Sequence, residues 1–252
     1  TMINNPKSEP YYSYLIRLGY VFCNYSEKHY IFEKDGRVIK VAKSIYNNES
    51  TDESYFIERA AHSLLLSYKF PVAKIYNVYP KGEFLKGYVV LEEEKIEGEI
   101  YYKKDCAPSY LVQVLRLMQE TTKIKGKSFG VMERNGQARF LSWKDFLYSV
   151  VDKMPEREHA ENRCRIEVMP EITESSFVFT DCNMANFVFN MGRLEKAIDI
   201  ERPLWGDPLF LNGMIKSRNP YMYAFMNQEE NADIVDLYAQ LYPYIFNATG
   251  KV

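Results

Sequence analysis

The window Phe177 to Pro208, FVFTDCNMANFVFNMGRLEKAIDIERPLWGDP, limits what this chain can fold into more than any other stretch. Three short β-prone runs, Phe177-Val178-Phe179, Phe187-Val188-Phe189 and Lys196-Ala197-Ile198, sit inside a half of the chain that otherwise reads as helical. They are joined by Asp181 to Asn186 and by the turn signal Asn190-Met191-Gly192. Such a layout delivers polar residues at strand ends and in tight loops. Asp181 and Asn186 flank one loop, and Asp199 closes the third run.

Upstream the pattern is β-rich. Tyr20-Val21-Phe22, His29 to Phe32 and Val38 to Ala42 are short runs separated by polar turns, one of them Asp35-Gly36, which predicts an antiparallel meander. From Glu53 to Tyr68 the apolar residues Phe56, Ile57, Ala60, Leu64 and Leu65 fall at helical spacing, and the pattern stops before Pro71. Strands return at Lys74 to Tyr79 and Tyr88 to Leu91. The acid-rich stretch Glu92 to Glu99 then breaks the apolar pattern and is read as a hinge. Beyond it, Tyr110 to Glu120, Trp143 to Met154 and Asp233 to Tyr244 read as helices, with a polar excursion from Lys123 to Gly136. The expected class is α+β. An N-terminal antiparallel sheet with one helix covers residues 1–93, and a mainly helical part covers residues 94–252.

The residue types in the window suit phosphoryl transfer, which asks a protein for positioning and charge neutralisation more than for covalent chemistry. One carboxylate must orient the attacking hydroxyl and accept its proton, and Asp181 is the candidate. Hard oxygen donors must hold Mg²⁺, and the Asn186 amide oxygen and the Asp199 carboxylate are of that kind. In the N-terminal part, Lys40 sits between Ile39 and Val41 in a strand that is apolar on both sides. An ammonium placed there needs a carboxylate partner, and the following helix offers Glu58, the arrangement of a kinase lysine and its glutamate. Asp207, between Gly206 and Pro208, reads as a cap for the next helix.

These residues resemble the aminoglycoside phosphotransferase and choline kinase group, whose catalytic loop reads His-Gly-Asp or His-Asn-Asp, four residues, then Asn. An Ile-Asp-x-Glu segment follows, and often Gly-Asp-Pro. Here the chain has Phe179-Thr180-Asp181, Asn186, Ile198-Asp199-Ile200-Glu201 and Gly206-Asp207-Pro208. Phe179 replaces the usual histidine, a scaffolding group in that fold, and Thr180 the small middle residue. The resemblance spans roughly Gly19 to Pro208. It implies a two-lobed protein-kinase-like fold in which Asp181 is the catalytic base and Asn186 and Asp199 bind Mg²⁺. It implies further that Lys40 holds the α and β phosphates with Glu58 orienting it, and that backbone groups near Glu92, Glu93 and Glu94 pair with the base of ATP or GTP. The segment Cys23 to Lys28 has no glycine where protein kinases carry a glycine-rich loop, so Ser26 and nearby amides are the expected phosphate contacts.

The acceptor implied is the hydroxyl of a small molecule, an aminoglycoside-type antibiotic first, with choline, fructosamine or homoserine-like alcohols as alternatives. A pseudokinase acting as a binding module is the rival from another class. Trp205, Tyr221, Tyr223 and Phe225 read either as pocket lining or as core. Glu229, Glu230, Asp233 and Asp236 suit a cationic acceptor or a solvated helix face equally. The 32 basic and 34 acidic residues leave a net charge of -2, which gives no electrostatic argument for nucleic acid or an anionic membrane. Four cysteines without a CxxC pair and three histidines without ligand spacing indicate neither a disulfide framework nor structural zinc. The opening TMINNPKSEP has no apolar leader core and no run approaches a membrane span, so a cytoplasmic monomer or weak dimer is the expectation.

Overall fold

In the computed structural model, which describes residues 5–102, 106–226 and 231–246, the chain divides into two units, Thr1–Glu97 and Gly98–Val252. The β-rich first part forms one antiparallel sheet of β1 (Val21–Tyr25), β2 (His29–Lys34), β3 (Arg37–Ala42), β4 (Ile75–Tyr79) and β5 (Val90–Glu94), in the order β1-β2-β3-β5-β4. Asp35 and Gly36, at φ 50° and 74°, join the paired residues Lys34 and Arg37. Two successive left-handed residues make the turn whose twist matches a hairpin, and glycine takes the second position without strain.

Side-chain alternation gives the sheet two apolar faces. Phe32, Ile39, Val41 and Val90 pack with Tyr11 and Leu15, and Leu15 belongs to α1 (Tyr12–Arg17). Ile75, Val78 and Leu91 pack on the other face against Tyr55 and Phe56 of α2 (Glu49–Ser67). α2 begins earlier than its apolar periodicity predicts, because the Asn48 side chain accepts from Thr51 N at 3.0 Å and caps a polar first turn. It ends before Lys69, which adopts φ 64° ahead of Pro71.

The boundary between the two units, after Glu97, falls within the acid-rich stretch Glu92 to Glu99, but that stretch begins as strand. The last strand is Val90–Glu94, not Tyr88 to Leu91, and Glu92 and Glu93 are buried within it. Apolar patterning misses this because each acid finds a partner on its own face of the sheet. Glu92 accepts from Arg37 at 3.0 Å and from the Tyr79 hydroxyl at 2.9 Å, while Glu93 lies 3.1 Å from Lys40 Nζ.

The second unit contains α3 (Pro108–Thr121), α4 (Trp143–Val151), α5 (His159–Glu167), α6 (Leu209–Arg218), α7 (Pro220–Tyr223) and α8 (Ala232–Leu241). It also holds two small sheets where the sequence suggests a single insertion. One is ordered β11-β10-β6, from β6 (Glu99–Ile100), β10 (Phe187–Asn190) and β11 (Arg193–Ala197). The other is ordered β7-β9-β12-β8, from β7 (Lys125–Gly126), β8 (Gly130–Val131), β9 (Ser175–Val178) and β12 (Leu204–Gly206). The polar excursion from Lys123 to Gly136 thus supplies two strands too short for any periodicity to register. Among the described residues no helix is long and apolar enough to cross a membrane.

The aromatic centre of this unit is Trp143, whose ring stacks on Phe146 at 5.3 Å and meets Phe210 and Tyr238 edge-on at 5.7 and 5.9 Å. Trp143 Nε1 donates to the Tyr238 hydroxyl at 2.8 Å, which donates to Asp207 Oδ2 at 2.7 Å. Asp207 Oδ1 accepts from Leu209 N at 2.9 Å, at the start of α6. α6 and α8 cross closely at Gly213, where a Cβ would stand 2.4 Å from that of Tyr238. Burial raises the Asp207 carboxyl above its ordinary 3.8, against the pull of the bonds from Tyr238 and Leu209.

A raised carboxyl pKa means that the folded protein keeps this proton longer than the unfolded chain does. The group's contribution to stability is therefore present below 3.8 and lost as pH rises through the folded-state value. Asp207→Asn cannot titrate, so urea unfolding should show its stability improving relative to wild type as pH climbs from 3.8; a constant difference would refute the linkage. At neutral pH Asp207→Ala, which removes the cap and the acceptor of the Tyr238 hydroxyl, should lose about 2–4 kcal/mol.

Candidate active site

In the first unit the chemistry-bearing group is Lys40. Its strand is pinned by Ile39 and Val41, which are buried on one face, so Lys40 must project from the other. There α2 presents Tyr55, Glu58 and His62 at i, i+3 and i+7, one face of a helix. Lys40 Nζ donates to Glu58 Oε1 at 3.0 Å, with 4% and 1% of the two side chains exposed. His62 Nδ1 meets the Ala73 carbonyl at 2.7 Å and so carries a proton there, and its Nε2 stands 3.8 Å from Glu58 Oε1. Glu93 is the second carboxylate on the ammonium.

The backbone of Glu92 to Glu94, expected near the nucleotide base, runs within the sheet. β5 lies between β3 and β4, with Glu92 opposite Ile39 and Asn77, and Glu93 opposite Val38 and Ile75. Those backbone groups serve the two ladders, and Glu94 N donates to the Lys74 carbonyl at 2.9 Å. Ser26 lies in the β1–β2 turn, where its amide donates to the His29 carbonyl at 2.9 Å and its hydroxyl accepts from His29 N at 3.1 Å. No residue from Cys23 to Lys28 has a left-handed φ, which is why this hairpin closes without glycine.

In the second unit the loop after β9 carries Asp181. Asp181 Oδ1 accepts from Asn183 N at 2.9 Å and Oδ2 from Asn186 Nδ2 at 3.0 Å, so both carboxylate oxygens are oriented by their own loop. Asn186 turns its amide nitrogen to Asp181 and keeps its amide oxygen for other use. Its backbone carbonyl accepts from Ile198 N at 2.8 Å, which brings the start of the Asp199 segment beside it. Asp199 sits at φ 56°, a conformation that aspartate tolerates better than most residues, and Glu201 N closes back on its carbonyl at 2.9 Å.

Phe179 is buried against Phe177 and Phe187, with ring centroids 5.8 and 6.4 Å away. Thr180 tethers the loop, its hydroxyl donating to the Arg202 carbonyl at 2.9 Å. The Tyr242 hydroxyl donates to the Thr180 carbonyl at 2.6 Å, and burial, helped by the nearby Asp181 charge, pushes that phenol up to about 12, so it remains a donor. Sequence reasoning missed the anchoring of Thr180 by Arg202 and Tyr242, because a hydroxyl-to-backbone contact leaves no pattern.

Beside Asp181 lies a cavity of about 180 Å³ lined by Asp181, Cys182, Asn183, Met184, Arg218 and Asn219. Tyr221 and Phe225, just beyond it along the chain, are exposed, while Trp205 is buried core. Asp236 pairs with Lys216, and Glu229 and Glu230 lie outside the described residues. Among the described residues no three His, Cys, Asp or Glu side chains group closely enough to hold a metal by themselves.

No protein-family model matches the sequence, and no curated protein does. Solved structures do. Aminoglycoside phosphotransferase APH(4)-Ia, in a ternary complex with AMP-PNP and hygromycin B, is similar at 17% identity over 91% of this chain and 87% of its own, with a TM-score of 0.70. APH(2")-IIia with GDP and kanamycin gives 13% over 88% and 82%, with a TM-score of 0.55. Amicoumacin kinase hAmiN with AMP-PNP and Ca²⁺ gives 14% over 92% and 73%, with a TM-score of 0.51. The chain therefore has the protein-kinase-like fold of the aminoglycoside phosphotransferases.

Because the loop is tethered through Thr180, restoring the histidine should not help. Phe179→His places a polar ring among Phe177 and Phe187 and is expected to cost about 2–4 kcal/mol in urea unfolding. A stability equal to wild type would show that the tether is incomplete.

Proposed function

We propose that the chain is a small-molecule kinase that transfers the γ-phosphoryl group of ATP or GTP, with Mg²⁺, to a substrate hydroxyl. The observation that carries this reading is the Asp181 loop, a carboxylate held by two loop donors with Asn186 and the Asp199 segment tied to it by one backbone bond. Asp181 orients the acceptor hydroxyl and takes its proton as the oxygen attacks the γ-phosphorus and the nucleoside diphosphate leaves. Asn186 and Asp199, both hard oxygen donors, would hold Mg²⁺, which would neutralise phosphate charge. Lys40, held by Glu58, supplies a fixed positive charge to the phosphates. The neighbours' complexes with AMP-PNP, GDP and antibiotics support nucleotide and small hydroxyl ligands for this fold.

Aminoglycoside-type antibiotics are the first acceptors on this reading, and a cytoplasmic setting would supply the nucleotide. Choline, fructosamine and homoserine-like alcohols are the alternative acceptors.

Turnover of ATP and of GTP with Mg²⁺ should be measured against hygromycin B, kanamycin, choline and homoserine. Acceptor-dependent turnover should fall by about 10²–10⁴ in Asp181→Ala, and Asn186→Ala and Asp199→Ala should raise the Mg²⁺ concentration needed. Nucleotide binding without turnover of any acceptor would point to a binding module, and the absence of Mg²⁺-dependent nucleotide binding would sink the kinase reading.

A further inference from the structure

Lys40 is shared. One buried ammonium faces Glu58 Oε1 at 3.0 Å and Glu93 Oε1 at 3.1 Å, from a helix and a strand, with no more than 4% of any of the three side chains exposed. The sheet explains the second contact. Lys40 is directly opposite Leu91 in the β3–β5 ladder, so Glu93, two residues on, is the diagonal neighbour on the same face, within reach of a long side chain. Glu92 points to the other face and takes Arg37. A single carboxylate is enough to orient a lysine, so the second has a separate electrostatic effect. His62 also faces this cluster, through Glu58.

We propose that Glu93 is a positioning residue that acts through Lys40, holding the ammonium against the sheet and weakening by its charge the attraction that Lys40 exerts on a triphosphate. An ammonium has three N–H donors, so two carboxylates can hold Lys40 at once without removing its charge. The two negative charges beside it oppose an incoming polyanion at short range in a poorly solvated site. Grip on the nucleotide is thereby limited while the lysine stays oriented. The role toward nucleotide rests on the kinase reading above; the sharing of Lys40 does not.

Two measurements on the full chain test this. In calorimetric titration with Mg²⁺ and ATP, Glu93→Gln, which keeps an acceptor oxygen but removes the charge, should bind about three- to tenfold more tightly than wild type. Glu33→Gln, a carboxylate paired with Lys95 elsewhere on the sheet, should bind as wild type does. A folded Glu93→Gln with unchanged or weaker affinity would overturn the proposal, since a merely structural acid loses affinity when altered. The second measurement is a double-mutant cycle in thermal melting without nucleotide. Lys40→Met leaves two buried carboxylates without their shared cation, so the double variant Lys40→Met with Glu93→Gln should melt above Lys40→Met alone, even where each single variant folds poorly. Additive effects would overturn the sharing of Lys40. If wild type binds no nucleotide, the kinase reading falls together with the proposed effect on grip, while the cycle still decides whether Glu93 and Lys40 are coupled.

Discussion

A charge buried in the middle of a sheet has to be neutralised where it stands, and much of the first unit can be read from that requirement at Lys40. Ile39 and Val41 commit β3 to one register, because slipping by one residue would send both into the wrong face. Lys40 is thereby committed to the face that α2 covers. Removing one partner from such a buried pair costs about 3–5 kcal/mol, so α2 has to dock with Glu58 over the strand. The same requirement carries β5 through Glu93, where hydropathy alone would end it. A strand with two successive buried acids is stable because one acid finds Lys40 and the other finds Arg37 and Tyr79 on the opposite face.

The second unit solves a different problem, which is how to hold a carboxylate steady without burying it. Asp181 and Asp207 show the contrast. Asp207 is buried, capped onto α6 and tied to Trp143 through Tyr238, and burial pushes its pKa up. Asp181 is partly exposed and takes its donors from its own loop, whose ends are anchored by Thr180 to the Arg202 carbonyl and by Asn186 to Ile198. One aspartate spends its hydrogen bonds on the scaffold, and the other on its own loop. Before this loop Phe179 packs between the rings of Phe177 and Phe187.

The α+β class, the meander, the single helix after β3 and the order Asp181, Asn186, Asp199 are legible in the chain, because each depends on neighbours a few residues apart. The Asp35-Gly36 turn, the alternation in β3 and the apolar spacing of α2 are local facts that any reader of the sequence can use. The acids of β5, the two-residue strands and the anchors of the Asp181 loop are not legible in the same way. Each depends on a partner far along the chain: Glu93 on Lys40, Lys125 and Gly126 on Ser176 and Ser175, Thr180 on Arg202 and Tyr242.

The sequence by itself determined which residues stand where strands turn and helices begin, and so which polar groups were candidates for chemistry. Only the tertiary structure decided what faces them. It set Glu93 beside Lys40 as a second carboxylate, and it placed the Ser26 hydroxyl on the His29 amide. The physical reason is that backbone preferences act over a few residues, whereas neutralising a buried charge or satisfying a buried donor depends on whichever group the fold brings within about 3 Å.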